Sequence, residues 1–188
     1  MSKLYEESSI VGFLKDFEIG FLLTPVKVIV KQYLPFIEVG SINLHEVHEG
    51  DVIEVPRWVA ETMMQMGFAD IQEESIDLDL FKALSRERMQ DPSQISTLKG
   101  DFYPRMKRQI KIMKSMMGRD ESLKGAYEKF LSSAYDLIGL RMNKLLYLSG
   151  SSSLSPDLEK KITQEEKVFF EIIRSIIEDW KKAILEVE

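Results

Sequence analysis

The hydrophobic periodicity of the chain changes at Pro56, and this change most constrains its fold. Before Pro56, short apolar runs rich in β-branched residues lie between prolines and glycines, at 26–31, 36–40 and 51–55. Such runs predict short strands joined by close turns, a unit that is marginally stable alone. After Pro56, apolar residues recur three and four positions apart, which indicates amphipathic helices. The sequence therefore predicts a mainly α protein, with a small N-terminal β-rich domain (1–56) and a larger helical-bundle domain (57–188) entered through 57–75.

Amphipathic helices account for most of the chain after Pro56. Their apolar spacing and their capping residues predict helices over 56–67, 77–89 and 93–117 (broken near Gly100 and Pro104), then one from Ser122 and one from Thr163. The last helix opens with the capping box Thr163-Gln164-Glu165-Glu166. Gly150 and the serines 151–153 predict a flexible break before it. The last two helices are apolar on more than one face, so either the bundle itself or another subunit must bury them.

The composition offers little for catalysis. Cysteine is absent, which excludes a disulfide scaffold, a thiolate metal site and a cysteine nucleophile. Glycine-rich phosphate loops and nucleophile motifs are missing, and the carboxylates lie among lysines, as they do on solvated helix surfaces. His45 and His48 lie near Glu49 and Asp51, but two histidines without a third fixed ligand favour a polar loop over a zinc site. We predict a protein that is not an enzyme and that holds neither a metal nor a cofactor.

The N-terminal residues and the lengths of the apolar runs bear on where in the cell the protein is found. The opening residues MSKLYEESSI lack the basic and apolar regions of a secretory signal. No apolar run reaches the roughly 18–20 residues of a membrane span. These features predict a cytoplasmic protein without a membrane contact.

Two sets of residues are candidates for contacts with other molecules. Within 99–119 there are seven basic residues and one acidic residue, Asp101, although the net charge of the chain is −6. Of these basic residues, Lys107, Lys111 and Lys114 share one helical face. This basic face is either solvated or in contact with DNA or an acidic partner, and its residues are Arg105, Lys107, Arg108, Lys111 and Lys114. The second set is apolar and belongs either to the core or to a subunit interface: Phe102, Tyr103, Met106, Phe130, Leu137, Phe169, Phe170, Ile173, Ile177 and Trp180.

Four segments of the chain together resemble the GINS family, a replication-fork factor that joins the MCM helicase in archaea and eukaryotes. The segment 50–60 is similar to the family's passage from its small β domain into its helical domain, with Pro56 and Trp58 at the junction and Val59 replacing the usual leucine. The other three segments are similar to the family's Asp-Phe-Tyr element, its arginine–x–x–lysine helix and the start of its final helix, at 98–103, 140–146 and 163–167. Each segment is short, but together they follow the family order.

The resemblance implies an assembly and a set of partners. Because the β part precedes the helices, the chain resembles the archaeal subunit type with that domain order. Such a subunit is a non-catalytic scaffold that pairs with a subunit of the other domain order in a two-plus-two hetero-tetramer. The resemblance implies contacts with the MCM helicase and a RecJ-like protein at the nucleoid-associated replication fork. The alternative is a stand-alone helical nucleic-acid-binding or regulatory protein that uses the basic face within 105–119.

Overall fold

The computed structural model describes residues 10–39, 42–118, 120–151 and 154–185. These residues form two compact units. One comprises residues 18–74, and the other comprises the described residues from 75 onward together with 10–17. The division falls within the first helix, α1, which spans Ile10–Leu23. Within the described ranges, none of the helices has both the length and the apolar character that a membrane span requires.

The smaller unit is built on a three-stranded antiparallel sheet. The strands of this unit are β1 (Pro25–Val30), β2 (Ile37–Val39), β3 (Ile42–Leu44), β4 (Val52–Pro56) and β5 (Ala69–Ile71). In the sheet, β1 lies between β4 and β5, while β2 and β3 pair as a separate hairpin. Burial alternates along β1, so that Val26, Val28 and Val30 enter the core and the residues between them stay exposed. This is the period of a strand with one buried face.

Helix α2, Arg57–Gln65, belongs to the same unit as the sheet. It follows β4 directly, and its residues Ala60 and Met63 are buried in the hydrophobic core that the sheet forms. Strand β5, which follows α2, pairs with β1. Because α2 and β5 complete the core of the sheet, this unit extends to Glu74, whereas the sequence analysis placed the domain boundary at Pro56.

The larger unit is helical. Its helices are α3 (Ile76–Met89), α4 (Phe102–Met117), α5 (Lys124–Ser151), α6 (Pro156–Lys161) and α7 (Gln164–Leu185). Helices α3, α4 and α5 enclose a core that contains Phe102, Phe130 and Leu137. A second cluster, which contains Leu145, Leu158 and Phe170, joins α5, α6 and α7. The second half of the chain is thus held together through the long helix α5.

The main expectations about the fold are confirmed. The protein is mainly α with a small β-rich part at its front. The capping box at the start of α7 is also confirmed, because the backbone N–H of Thr163 donates to the Glu166 carboxylate at 3.0 Å. In return, the backbone N–H of Glu166 donates to the Thr163 hydroxyl at 3.4 Å. The reciprocal bonds satisfy amides that the first turn of a helix leaves unpaired.

Other expectations were wrong or incomplete. The predicted helix over 93–117 begins only at Phe102, and the preceding residues follow an irregular path. Ile95 and Leu98 are nevertheless buried, and the Leu98 N–H donates to the Lys161 carbonyl, so tertiary contacts replace the predicted helical bonds. Helix α1 and strands β3 and β5 were not predicted. The flexible break predicted at Gly150 and the serines 151–153 is wrong at its start, because Gly150 and Ser151 are the last two residues of α5. Serines 152 and 153, and Gly40 of a predicted strand, lie outside the described residues.

Candidate functional site

A network of buried charged side chains lies inside the helical unit, and Glu87 of α3 is its first centre. Glu87 is only 1% exposed. Its carboxylate accepts hydrogen bonds from Lys144 Nζ at 2.7 Å and from Arg141 Nη1 at 2.6 Å. The backbone N–H of Ser96 donates to the same carboxylate at 3.0 Å, and the Ser96 hydroxyl donates to it as well. Glu87 therefore ties α3 to α5 and to the irregular segment before α4.

Glu166, near the start of α7, is the second centre of this network. The Arg141 guanidinium donates to both carboxylate oxygens of Glu166, through Nε to Oε1 and through Nη2 to Oε2 at 2.7 Å. The hydroxyl of Tyr103 donates to Oε1 at 2.6 Å, which adds α4 to the network. Arg141, which is 1% exposed, also donates to the Ser96 carbonyl at 2.8 Å. One guanidinium thus links both carboxylates and fixes α7 against α5.

The charges of the network balance, because two carboxylates face one guanidinium and one ammonium group. Burial raises the pKa of Glu87, but hydrogen bonds from Lys144 and Ser96 and the charge of Arg141 outweigh this effect and leave the pKa below its usual value. Burial lowers the pKa of Arg141, yet the hydrogen bonds and the charge of Glu166 raise it above its usual value. Burial and the Glu166 charge raise the pKa of the Tyr103 hydroxyl well above its usual value. Glu87 and Arg141 therefore stay ionised, and Tyr103 stays neutral, near pH 7.

The buried side-chain nitrogen and oxygen atoms of the network have hydrogen-bond partners within the chain. Buried side-chain atoms without a hydrogen-bond partner among the described residues lie elsewhere, at Arg57 Nε, Glu61 Oε1, Gln90 Oε1 and Glu165 Oε2. A buried ionic cluster with its groups satisfied fixes the relative positions of the elements that carry it. Its chemical role here is therefore to hold α3, α4, α5 and α7 in one arrangement.

Sequence reasoning singled out most of these side chains without placing them together. Tyr103, Arg141, Lys144 and Glu166 all belong to the segments that carry the family resemblance, whereas Glu87 was missed. In the sequence, Arg141 falls among the apolar residues of α5, on the helical face that is expected to be buried. A charged residue on a buried helical face requires a buried counter-charge. That position was the available signal for the network.

The apolar candidates for core or interface divide between buried and more exposed positions. Phe102, Met106, Phe130, Leu137 and Phe170 are buried in the helical unit. Others are only half-buried, namely Tyr103, Phe169, Ile173 and Ile177. Trp180 is 65% exposed and lies with exposed Ile176 and Ile184 along the second half of α7. Core packing accounts for the first group, and the exposed stripe on α7 is a candidate contact surface.

Helix α5 also carries an exposed apolar stripe. Tyr135, Ile138, Met142 and Leu146 are exposed at helical spacing, on the side of α5 away from the buried network. The sequence analysis left open whether the bundle itself buries the broad apolar faces of α5 and α7. Within the described residues, the bundle covers only part of each face.

The predicted basic face on α4 is smaller than its sequence indicates. Arg105 is buried and its Nη1 lies 3.0 Å from the Asp79 carboxylate, so Arg105 points into the unit and not outward. Burial raises the pKa of Asp79, but hydrogen bonds from Lys99 and Arg105 leave it below the usual value. Arg108 is half-buried, and Arg119 lies outside the described residues. The exposed members are three lysines, Lys107, Lys111 and Lys114.

The domain-junction residues lie within the sheet unit. Pro56 ends β4 opposite Pro25 of β1, and Trp58 is partly exposed on α2. Between them, the Arg57 guanidinium is buried and binds both oxygens of Glu73, at 2.8 and 3.0 Å. It also stacks 4.2 Å from the centre of the Phe21 ring. Arg57 therefore joins α1, α2 and the segment after β5, a role that sequence reasoning missed.

The two histidines are exposed, and each lies beside an aromatic ring. The rings of His45 and His48 contact Phe36 and Tyr33, respectively. In the part of the chain that the structure describes, no group of three potential ligands is close enough to hold a metal ion.

Comparisons with protein-family models and with curated protein sequences find no relative. No protein-family model matches the chain. No curated protein sequence matches it either. Inferences about function therefore start from the residues and their geometry.

Proposed function

We propose that this protein is a non-catalytic scaffold subunit of the GINS complex in DNA replication. In this proposal it pairs with a GINS subunit of the other domain order in a two-plus-two tetramer. That assembly supports the MCM replicative helicase together with a RecJ-like partner. One observation carries the proposal: three of the segments that resemble the family meet in a single buried network.

The convergence makes the resemblance more specific than its separate motifs. Tyr103 and Arg141 lie far apart in sequence, but both bind the Glu166 carboxylate. Lys144, one helical turn after Arg141, binds Glu87. If the segments matched the family by chance, nothing would require their polar side chains to lie close together. One buried network that requires all of them supplies such a reason.

The exposed apolar surface of the helical unit gives further support. A scaffold subunit needs surfaces that other subunits cover, and stripes of large apolar side chains on α5 and α7 are of this kind. Because the buried network holds α5 and α7 rigidly, these stripes are presented in a fixed geometry. A fixed surface reduces the entropy that association must overcome.

Copurification tests the proposal. The tagged chain is co-expressed with an archaeal GINS subunit of the other domain order, and we expect the two to elute together through affinity and size-exclusion steps. Trp180→Glu, which places a charge in the exposed stripe of α7, should reduce the recovered partner. Met89→Glu, a control at an exposed site on α3, should leave recovery unchanged. Recovery of the tagged chain alone would contradict the proposal.

The second candidate function is nucleic-acid binding through α4. The exposed side chains of Lys107, Lys111 and Lys114 at helical spacing favour it, since lysines clustered on one helical face are the electrostatic footprint of a nucleic-acid-binding surface. The isolated chain should then bind DNA with an affinity that falls steeply as salt concentration rises. Changing the three lysines together to glutamate should abolish binding in a fluorescence-anisotropy titration. Unchanged binding by that variant would eliminate this face.

A further inference from the structure

The exposed stripe of α5 has an internal symmetry. The half-buried Leu131 extends the four exposed residues of the stripe, so its apolar residues are Leu131, Tyr135, Ile138, Met142 and Leu146. Measured from the peptide bond between Ile138 and Gly139, Leu131 lies as far in one direction as Leu146 in the other. Tyr135 and Met142 are likewise equidistant from that bond. Reversing the helix about that bond exchanges Leu131 with Leu146 and Tyr135 with Met142, and it exchanges Ile138 with Gly139.

Gly139 occupies the centre of this pattern, and the described residues around it do not account for a glycine there. Glycine in the middle of a helix destabilises the helix relative to alanine. Such a glycine is usually retained where another backbone must come close. Here, a Cβ atom added at Gly139 would meet no atom within 4 Å, so nothing among the described residues requires its small size. The absent side chain leaves a notch beside Ile138 on the exposed side of α5.

The charges around the stripe permit close approach. Between Leu131 and Leu146 the charged residues are Asp136, Arg141 and Lys144. Asp136 is paired with Arg88 at 2.8 Å, and the other two are buried in the network. A second helix that lies along the stripe would therefore bury no unpaired charge from this part of α5.

We propose that α5 of one copy packs antiparallel against α5 of a second copy, with the two-fold axis passing next to Ile138 and Gly139. In such an isologous contact Tyr135 meets Met142 of the other copy, and Leu131 meets Leu146. Ile138 faces its counterpart on one side of the axis. On the other side the paired Gly139 residues let the two backbones approach closely.

The size of the stripe sets the strength of this contact. Side chains of these types and exposures together present about 400 Å² of apolar surface, about half of the roughly 800 Å² that each partner contributes to a standard interface. The dimer is therefore reversible, and its population rises with protein concentration. The inference does not rest on the proposed function; within a two-plus-two tetramer, the same contact would join the two copies of this chain.

Sedimentation of the purified full-length chain alone tests the contact. The wild-type chain should shift from monomer to dimer as its concentration is raised. Met142→Glu should remain monomeric throughout this range. Met89→Glu, the same substitution at a site on α3 that is 87% exposed, should dimerise like the wild type. A wild-type chain that stays monomeric, or a Met142→Glu chain that still dimerises, overturns the inference.

Gly139→Ala provides a second test that does not depend on damaging the fold. In dilute solution, where the chain is monomeric, the variant should melt at a higher temperature because alanine favours helix and its Cβ meets open space. The dimer should nevertheless weaken about tenfold, because the added methyl groups collide at the axis. A higher melting temperature with unchanged dimerisation overturns the inference.

Cross-linking locates the axis directly, because the natural chain contains no cysteine. Ile138→Cys introduces a single thiol beside the proposed axis, and mild oxidation should convert most of the chain to a disulfide-linked dimer. Met89→Cys, which is more exposed but distant from the stripe in sequence, should cross-link much less. Equal cross-linking of the two variants counts against the proposed axis. If Ile138→Cys becomes protected only when a GINS subunit of the other type is added, the second-copy inference fails while the proposed function survives.

Discussion

Replacing Arg141 with methionine is expected to lower the free energy of unfolding by about 3–5 kcal/mol, the usual cost of breaking a buried ion pair from one side. The substitution keeps the side chain long and apolar. It leaves the carboxylates of Glu87 and Glu166 buried, with only Lys144 to balance them. Denaturant unfolding followed by circular dichroism measures the change.

Arg88 provides the matched control for this substitution. It pairs with Asp136 at 2.8 Å, but both side chains are about half exposed. Arg88→Met should therefore change the free energy of unfolding by about 0–1 kcal/mol. Equal effects at Arg88 and Arg141 would contradict the account of the buried network.

The pH dependence of stability separates loss of charge balance from loss of packing. In the wild-type protein the pKa of Glu87 is lowered on folding. The stability that Glu87 contributes is therefore present above the ordinary glutamate pKa of about 4.3 and is lost as the pH falls through the folded value. In Arg141→Met the buried Glu87 carboxylate loses one of its two cationic partners, so protonation of Glu87 at low pH destabilises the variant less than the wild type. The stability difference between the two proteins should shrink on acidification, whereas a constant difference would indicate a packing defect alone.

Replacing Phe170 with alanine is expected to lower the free energy of unfolding by about 3–5 kcal/mol. Phe170 is 0% exposed and lies in the cluster that joins α7 to α5 and α6. Removing its ring leaves a cavity that the surrounding side chains fill only in part. Phe81→Ala on α3, where the ring is 67% exposed, is the control and should change the value by no more than about 0.5 kcal/mol. Equal losses at the two sites would show that Phe170 does not anchor α7.

Local signals made the start of α7 predictable. Thr163 and Glu166 form a capping box because both partners lie within one helical turn, and the sequence alone specifies that geometry. The partners that Glu166 finds beyond its own turn, Arg141 and Tyr103, depend on how three helices pack. The sequence could mark Arg141 as unusual on an apolar face, but it could not pair it with a particular carboxylate.

Long-range contacts explain the features that sequence reasoning missed. The residues before α4 have helical periodicity, but Ile95 and Ser96 are held by contacts with the core and with Glu87. Strand β5 is only three residues long, Ala69–Ile71, and is a strand because β1 pairs with it. The outward direction of Trp180 could not be read from its helical spacing, because Ile173 and Ile177 share the same periodicity. Exposure depends on where neighbouring helices end.

The mass of the assembly tests the central proposal most directly. This chain and an archaeal GINS subunit of the other domain order are co-expressed, purified together and measured by light scattering coupled to size-exclusion chromatography. The scaffold proposal predicts one species whose mass equals two copies of each chain. Separate monomers of the two chains, each at its own mass, would contradict it.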